Sequence, residues 1–332
     1  MQTPEPVPFT VITGFLGAGK TTYLNNLIRE GLPRDSLIVV NDFGSINIDA
    51  ELIEYRDERI LQLGNGCICC TLGGTLAEQL AQAVRFQPRP AAIYVEASGV
   101  AEPARIADIA RVSRHLRLAS VVCLVDASQV TRHASNRYTA DVWKAQVVGA
   151  DQLLVNRMPP AQSAEYEQVF SVLKRLNPHA TFNGSESHIN DREMPSAPAR
   201  PLLSVANTQQ AAGLWDSVSL SYSNAIDGDR LEQLLAEYAD VVMRAKGILK
   251  RTDRPVLQVF QLSGGVACWL PARRAPAANQ LVCIGIKGTR FEALASALAQ
   301  FDGALPPGEQ QSHLASSQQA GARPAARLQN TA

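Results

Sequence analysis

The segment Gly14-Phe15-Leu16-Gly17-Ala18-Gly19-Lys20-Thr21 fits the pattern G-x-x-x-x-G-K-[ST]. Its chemistry is anion binding. The glycines let successive backbone N–H groups turn inward as a nest, and a helix starting at its end adds the positive end of its dipole. The Lys20 ammonium suits the β- and γ-phosphates of a nucleoside triphosphate, and the Thr21 hydroxyl suits Mg2+. Gly14, Gly17, Ala18, Gly19, Lys20, Thr21 and Thr22 are thus candidate nucleotide-binding residues. Such a site needs a further carboxylate at the end of a neighbouring strand, to hold the ion or its waters. Glu96 ends IYVE and is followed by Gly99, whose N–H suits a γ-phosphate; Asp126 ends VVCLVD. Asp42 and Asp49, in NDFGSINIDAEL, fall where a switch loop would follow the second strand and are candidates for sensing Mg2+ or the γ-phosphate.

A second group lies in GNGCICCTLGG (64–74), where Cys67, Cys69 and Cys70 are bracketed by glycines. Thiolates are soft ligands suited to Zn2+ and Cu(I). Metal binding competes with thiol–disulfide exchange and with simple packing in a turn, although C-x-C and adjacent cysteines differ from the C-x-x-C of redox motifs. In an extended chain Cys67 and Cys69 point one way and Cys70 the other. One ion can meet all three if the chain turns at 69–71, which the glycines permit. Three thiolates leave a fourth tetrahedral position open, and an open site suits transient holding and transfer. Cys123, Cys268 and Cys283 lie in apolar runs and are expected to be buried, inert thiols.

These groups must be positioned by elements, and the first 200 residues alternate short apolar runs with amphipathic stretches. Strands are expected at 8–13, 36–41, 91–96, 119–126 and 151–156. Helices are expected at 21–30, 75–86, 102–114, 139–149 and 164–176. Near-continuous apolar strands imply a parallel sheet buried on both faces. The fold class is α/β, a P-loop NTPase with a doubly wound, mostly parallel sheet over 1–200, followed by a smaller C-terminal α+β domain. A linker is expected at 201–216. The second domain, 217–303, reads as a strand at 217–223, a helix at 228–243 with Asp227 as N-cap, strands at 247–251, 255–263, 265–271 and 280–288, and a helix at 291–301. Residues 304–332 lack aromatics and periodicity and are expected to be disordered.

Composition narrows the function. Lys plus Arg and Asp plus Glu each number 31, so the formal net charge is zero. That argues against a nucleic-acid or anionic-membrane binder. No apolar run approaches the about 20 residues of a spanning helix. The N-terminal residues show no basic and apolar leader, so a cytoplasmic protein is expected.

Together, GFLGAGKTT, NDFGSINIDAEL, GNGCICC, VEASGVAEP, LVDA, AKGILK and LVCIGI resemble the CobW-type P-loop GTPases of the CobW/HypB/UreG class, over about residues 8 to 302. The cysteine block between phosphate loop and Glu96 is the specific part of the match. The resemblance implies a slow, nucleotide-dependent GTPase that binds Zn2+ at Cys67, Cys69 and Cys70 and delivers it to, or activates, a client metalloprotein. It implies catalytic roles for Lys20 and Glu96, Mg2+ held by Thr21, Glu96 and Asp49, and a homo-oligomer as one assembly. Three departures stand out. Asp42 and Ser45 replace glutamates that the family carries. No His-rich stretch follows the first domain. The guanine-reading N-K-x-D becomes Asn156-Arg157-Met158-Pro159. Asn156 and the Arg157 stem remain as candidate base contacts, but Pro159 offers no carboxylate, so relaxed GTP preference with ATP use is expected. Within the family, activation of a cobalt or iron enzyme is an alternative. Outside it, a P-loop phosphotransferase or a passive metal buffer is.

Overall fold

A computed structural model describes residues 4–41, 60–63, 74–184, 214–272 and 279–301. The N-terminal part is built on seven strands: β1 (Val7–Gly14), β2 (Leu37–Asn41), β3 (Ile60–Leu63), β4 (Ile93–Glu96), β5 (Leu116–Asp126), β6 (Gln152–Asn156) and β7 (Thr181–Gly184). Their order is β3-β2-β4-β1-β5-β6-β7, every pair parallel. Parallel pairing requires crossovers, which the helices supply on both faces. They are α1 (Lys20–Glu30), α2 (Gly74–Ala83), α3 (Pro103–Val112), α4 (Val130–Ser135), α5 (Ala140–Val148) and α6 (Ala164–Leu176). On α1, Lys20, Leu24 and Leu27 recur at helical spacing on the buried side. Leu24 and Leu27 pack on Ile12, Ile38 and Leu124 of the sheet. Helices α2 and α3 cover the other face through Leu76, Leu80, Ile106 and Ala110, against Phe9, Val11 and Val39. This is the doubly wound P-loop NTPase arrangement.

The C-terminal part is a five-stranded antiparallel sheet with two helices on one face. Its elements are β8 (Trp215–Tyr222), α7 (Gly228–Glu237), β9 (Val242–Arg251), β10 (Arg254–Ser263), β11 (Val266–Pro271), β12 (Asn279–Ile286) and α8 (Thr289–Ala299). The strand order is β11-β10-β9-β12-β8. Asp227 caps α7 as expected, its carboxylate accepting from the N–H groups of Asp229 and Arg230 at 3.0 and 3.1 Å. The helix stops at Glu237, short of the expected 243. Val242 and Met243 continue its apolar pattern, but they open β9.

Alternation divides the second sheet. Ala245, Leu249, Phe260, Leu281 and Cys283 face α7 and α8. Ile248, Val259, Val282, Ile284 and Trp215 face the first domain and share a core with Phe15, Val130, Trp143 and Val155. The two domains therefore have one continuous apolar junction, and the phosphate loop contributes to it. The expected linker up to 213, the tail beyond 301, the switch-loop candidates Asp42 and Asp49, and Cys67, Cys69 and Cys70 lie outside the described residues.

Candidate functional site

The phosphate loop leaves β1 at its C-terminal edge and enters α1 at Lys20. Sheet register sets what surrounds it. Ile12 lies beside Glu96 in the β1–β4 pair, so the carboxylate emerges next to the loop. Thr21 Oγ1 donates to Glu96 Oε1 at 2.9 Å. Glu96 is 2% exposed, and the Lys20 side chain is buried with it. The Lys20 ammonium donates to the carbonyls of Gly14 and Phe15 at 2.9 and 3.4 Å. It is thus held over the loop it serves.

Of the two strand-end acids, Glu96 is the one beside Thr21. Asp126 is otherwise engaged. One carboxylate oxygen accepts from the Ser128 N–H and hydroxyl at 3.0 and 2.7 Å, closing the short 3-10 turn Ala127–Gln129. The other accepts from the Arg157 guanidinium.

The candidate base contacts play scaffold parts. Asn156 Nδ2 donates to the Ala18 carbonyl at 2.7 Å, tying the end of β6 to the phosphate loop. Arg157, at a positive φ of 50°, turns back to Asp126. Gly99 sits where a side chain would not fit: an added Cβ would lie 2.5 Å from Leu16 Cδ2 and 2.9 Å from the Leu16 N. Its carbonyl is fixed by Gln146 Nε2 of α5 at 3.0 Å, which also binds the Ala101 carbonyl at 3.1 Å. Sequence reading missed Gln146. The available signal was weak: Gln146 falls at helical spacing from Val142 and Trp143 on the buried side of α5, where an amide needs partners.

Sequence reading also missed the second domain's part in the site. A cavity of about 1200 Å3 runs from Gly17, Lys20 and Thr21 to Arg244, Lys246 and Ser263 of β9 and β10. Ligand pockets commonly hold about 300–1,000 Å3, so a nucleotide fits with room to spare. At Gly17, φ +80°, the domains are in close contact; a Cβ there would lie 1.8 Å from Ser263 Oγ. Beside it the Phe15 ring lies tilted against His133 (ring centroids 4.5 Å, 54° between the planes) and edges against Trp215 (6.1 Å). Burial, and secondarily the Arg132 charge, push the His133 pKa down to about 4, opposed by Asp126.

Burial pushes the Cys123 and Cys283 thiols up to about 12, which matches the inert role expected of them. Cys268 is a correction: it is exposed, because β11 is an edge strand with one open face. Among the described residues, no group of three or more His, Cys, Asp or Glu is placed to hold a metal ion. No described helix is long and apolar enough to cross a membrane.

A parallel sheet with G-x-x-x-x-G-K-T between its central strand and α1, and a strand-end carboxylate on the threonine, defines a P-loop nucleotide-binding protein. Residues 8–183 match the family model for the CobW/HypB/UreG nucleotide-binding domain, and residues 215–302 match the cobalamin synthesis protein cobW C-terminal domain. The chain belongs to the CobW/HypB/UreG family. It is 28% identical over 286 residues to the zinc chaperone YjiA of Escherichia coli, covering 77% of this chain and 86% of that one. It is 27% identical over 227 residues to zinc-regulated GTPase metalloprotein activator 1 of Dictyostelium discoideum, covering 56% of this chain and 47% of that protein. The crystal structure of Zn(II)-bound YjiA GTPase from E. coli aligns over 89% of this chain and 99% of that one, at 21% identity and a TM-score of 0.42.

Proposed function

We propose that the protein is a nucleotide-dependent zinc metallochaperone: a slow GTPase that holds Zn2+ on Cys67, Cys69 and Cys70 and passes it to a client metalloprotein. The observation that carries the nucleotide half is the 2.9 Å hydrogen bond between Thr21 Oγ1 and Glu96 Oε1 beside Lys20. Two hard oxygens at that spacing fit Mg2+, which takes few protein ligands and keeps phosphates and water. Mg2+ bound there would neutralise charge on the β- and γ-phosphate oxygens. Lys20 would exchange its loop carbonyls for those oxygens. Glu96 would orient the Thr21 hydroxyl and water. Asn156 holds the loop from behind by its bond to Ala18, which supports a bracing role more than a base-reading one. With Pro159 where a base-reading carboxylate would stand, GTP preference is relaxed and ATP is accepted.

The metal half is supported by three cysteines within four residues and by zinc in the names of similar proteins. Zn2+ is the cargo, and Asp49 the candidate link between nucleotide state and cargo. The test is Zn2+ affinity measured alone and with GTP, ATP, GDP and ADP, each with Mg2+. The reading predicts a nucleotide-dependent affinity, with ATP within about a hundredfold of GTP. Zinc affinity indifferent to every nucleotide would refute the coupling.

A further inference from the structure

We propose that the C-terminal domain completes the nucleotide site, with Arg244 and Lys246 of β9 acting as phosphate ligands opposite the P-loop. This rests on the nucleotide-binding role proposed above for Lys20 and Thr21.

The placement follows from register. Ser263, the last residue of β10, touches the P-loop: its Oγ and Cβ lie 1.8 and 2.8 Å from where a Gly17 Cβ would be. In the antiparallel β9–β10 pair, Ser263 lies opposite Arg244, and Gln261 opposite Lys246. Opposed residues in such a pair project to the same face, with Cα atoms about 4.5–5.5 Å apart. Arg244 and Lys246 therefore share the face on which Ser263 meets Gly17. Both line the cavity that also holds Lys20 and Thr21. The intervening Ala245 faces the opposite way, into the domain's own core.

The residue types are the second observation. On this face Ile248, Val259, Val282 and Ile284 pack into the domain junction, with Gln261 and Ser263 among its polar residues. Towards the P-loop it also carries two cations, 6% and 7% exposed. Buried lysine and arginine are costly unless hydrogen-bonded and charge-paired. Each also has interactions within the protein, so the pair is held in place.

The phosphates of a triphosphate held by Lys20 and Thr21 would lie in the cavity that Arg244 and Lys246 line. Hydrolysis adds water to the γ-phosphorus and breaks its bond to the β–γ bridging oxygen, giving diphosphate, inorganic phosphate and a proton. Charge spreads over the γ-phosphoryl oxygens on the way, and a cation there accelerates the step. Arg244, nearest Gly17, takes that position; Lys246 adds ground-state affinity.

The test compares GTP hydrolysis and the affinities for GTP and GDP, with Mg2+, among the full-length wild type, Arg244→Gln, Arg244→Lys, Lys246→Gln and Lys20→Ala. Arg244→Gln should slow turnover by ~10²–10³-fold and weaken GTP more than GDP, with Arg244→Lys restoring part. Lys246→Gln should weaken both nucleotides. Wild-type turnover and affinity in a folded Arg244→Gln protein, alongside lost binding in Lys20→Ala, would overturn the inference and leave the P-loop site standing. Undiminished binding in Lys20→Ala would remove the underlying reading instead. Should the glutamine variants not fold, the conservative Arg244→Lys decides. It should turn over GTP more slowly than wild type at unchanged GDP affinity, and wild-type turnover in it overturns the inference.

Discussion

Acidification should loosen the junction between the domains through one side chain. His133 lies between Phe15 of the P-loop and Trp143 of α5, with ring centroids at 4.5 and 6.4 Å. Its Nδ1 is buried with no hydrogen-bond partner among the described residues. Burial is the main cause that lowers its pKa from 6.5 to about 4, followed by repulsion from Arg132; Asp126 pulls the other way. The folded protein therefore keeps this imidazole neutral over a range in which the unfolded chain binds a proton. Stability rises with pH wherever the unfolded state holds more protons. The His133 contribution is thus complete above pH 6.5 and is lost progressively as pH falls towards 4. Each pH unit in that window costs about 1.4 kcal/mol, so the loss is roughly 2 kcal/mol at pH 5 and about 3 kcal/mol at pH 4. The assay is urea denaturation followed by tryptophan fluorescence, at fixed salt and without nucleotide, from pH 7.5 to 4.5. Wild type is compared with His133→Phe, which keeps a ring and removes the titration. Carboxylates elsewhere contribute equally to both. The difference between the two stability curves should be flat above pH 6.5 and slope below it. Parallel curves down to pH 5 would refute the reasoning.

Other perturbations probe the remaining contacts. Glu96→Gln keeps the shape of the carboxyl group and removes its charge beside Thr21, so Mg2+ affinity in the nucleotide complex should fall about 10–100-fold, as measured by Mg2+ titration of GTP binding. Gly17→Ala should destabilise the protein by about 1–2 kcal/mol for its left-handed backbone and about 1–3 kcal/mol more for the overlap with Ser263. Ser263→Gly should relieve the second part alone, so a double-mutant cycle in urea that shows no coupling would separate the P-loop from β10. Replacing Cys67, Cys69 and Cys70 together with serine should abolish tight Zn2+ binding and leave GTP affinity within about twofold, because thiolate ligation is lost while the P-loop is untouched. Zinc stoichiometry by dialysis and elemental analysis checks it.

The parallel sheet was legible because its strands are buried on both faces and announce themselves as apolar runs. The strands that escaped were those without such a run: Ile60–Leu63 is four residues long, and Thr181–Gly184 reads TFNG. The P-loop was legible because its glycines and lysine are fixed in sequence by a short local turn. The choice of Glu96 over Asp126 leaned on the Gly99 that follows Glu96, and the contact with Thr21 itself was not legible. Both end apolar strands, and what separates them is lateral register against β1 and an Asx-type turn at Ser128. Arg244 and Lys246 were the least legible. The apolar pattern of α7 runs on in sequence to Met243 and the next strand reads from Gly247, so both cations fall in the gap between them. In the fold that gap is the first half of β9. Local helical periodicity lost to pairing with β10 and β12, an interaction that no window of neighbouring residues contains.

The junction also constrains how the protein works. Phe15 and Leu16 are P-loop residues, yet they are buried in a core shared with Trp215, Ile248 and Val259 of the second domain. Gly17 leaves no gap to Ser263. A loop packed in this way cannot shift without repacking the sheet above it, because close-packed interiors move between discrete arrangements and do not deform smoothly. Nucleotide binding at Lys20 and Thr21 is therefore expected to be coupled to the seating of the C-terminal domain. Linkage makes the coupling reciprocal: whatever factor a nucleotide contributes to the seating of the second domain, a ligand that changes that seating returns to nucleotide affinity. A partner that holds the C-terminal sheet would then alter the GTP-to-GDP affinity ratio without touching the phosphates.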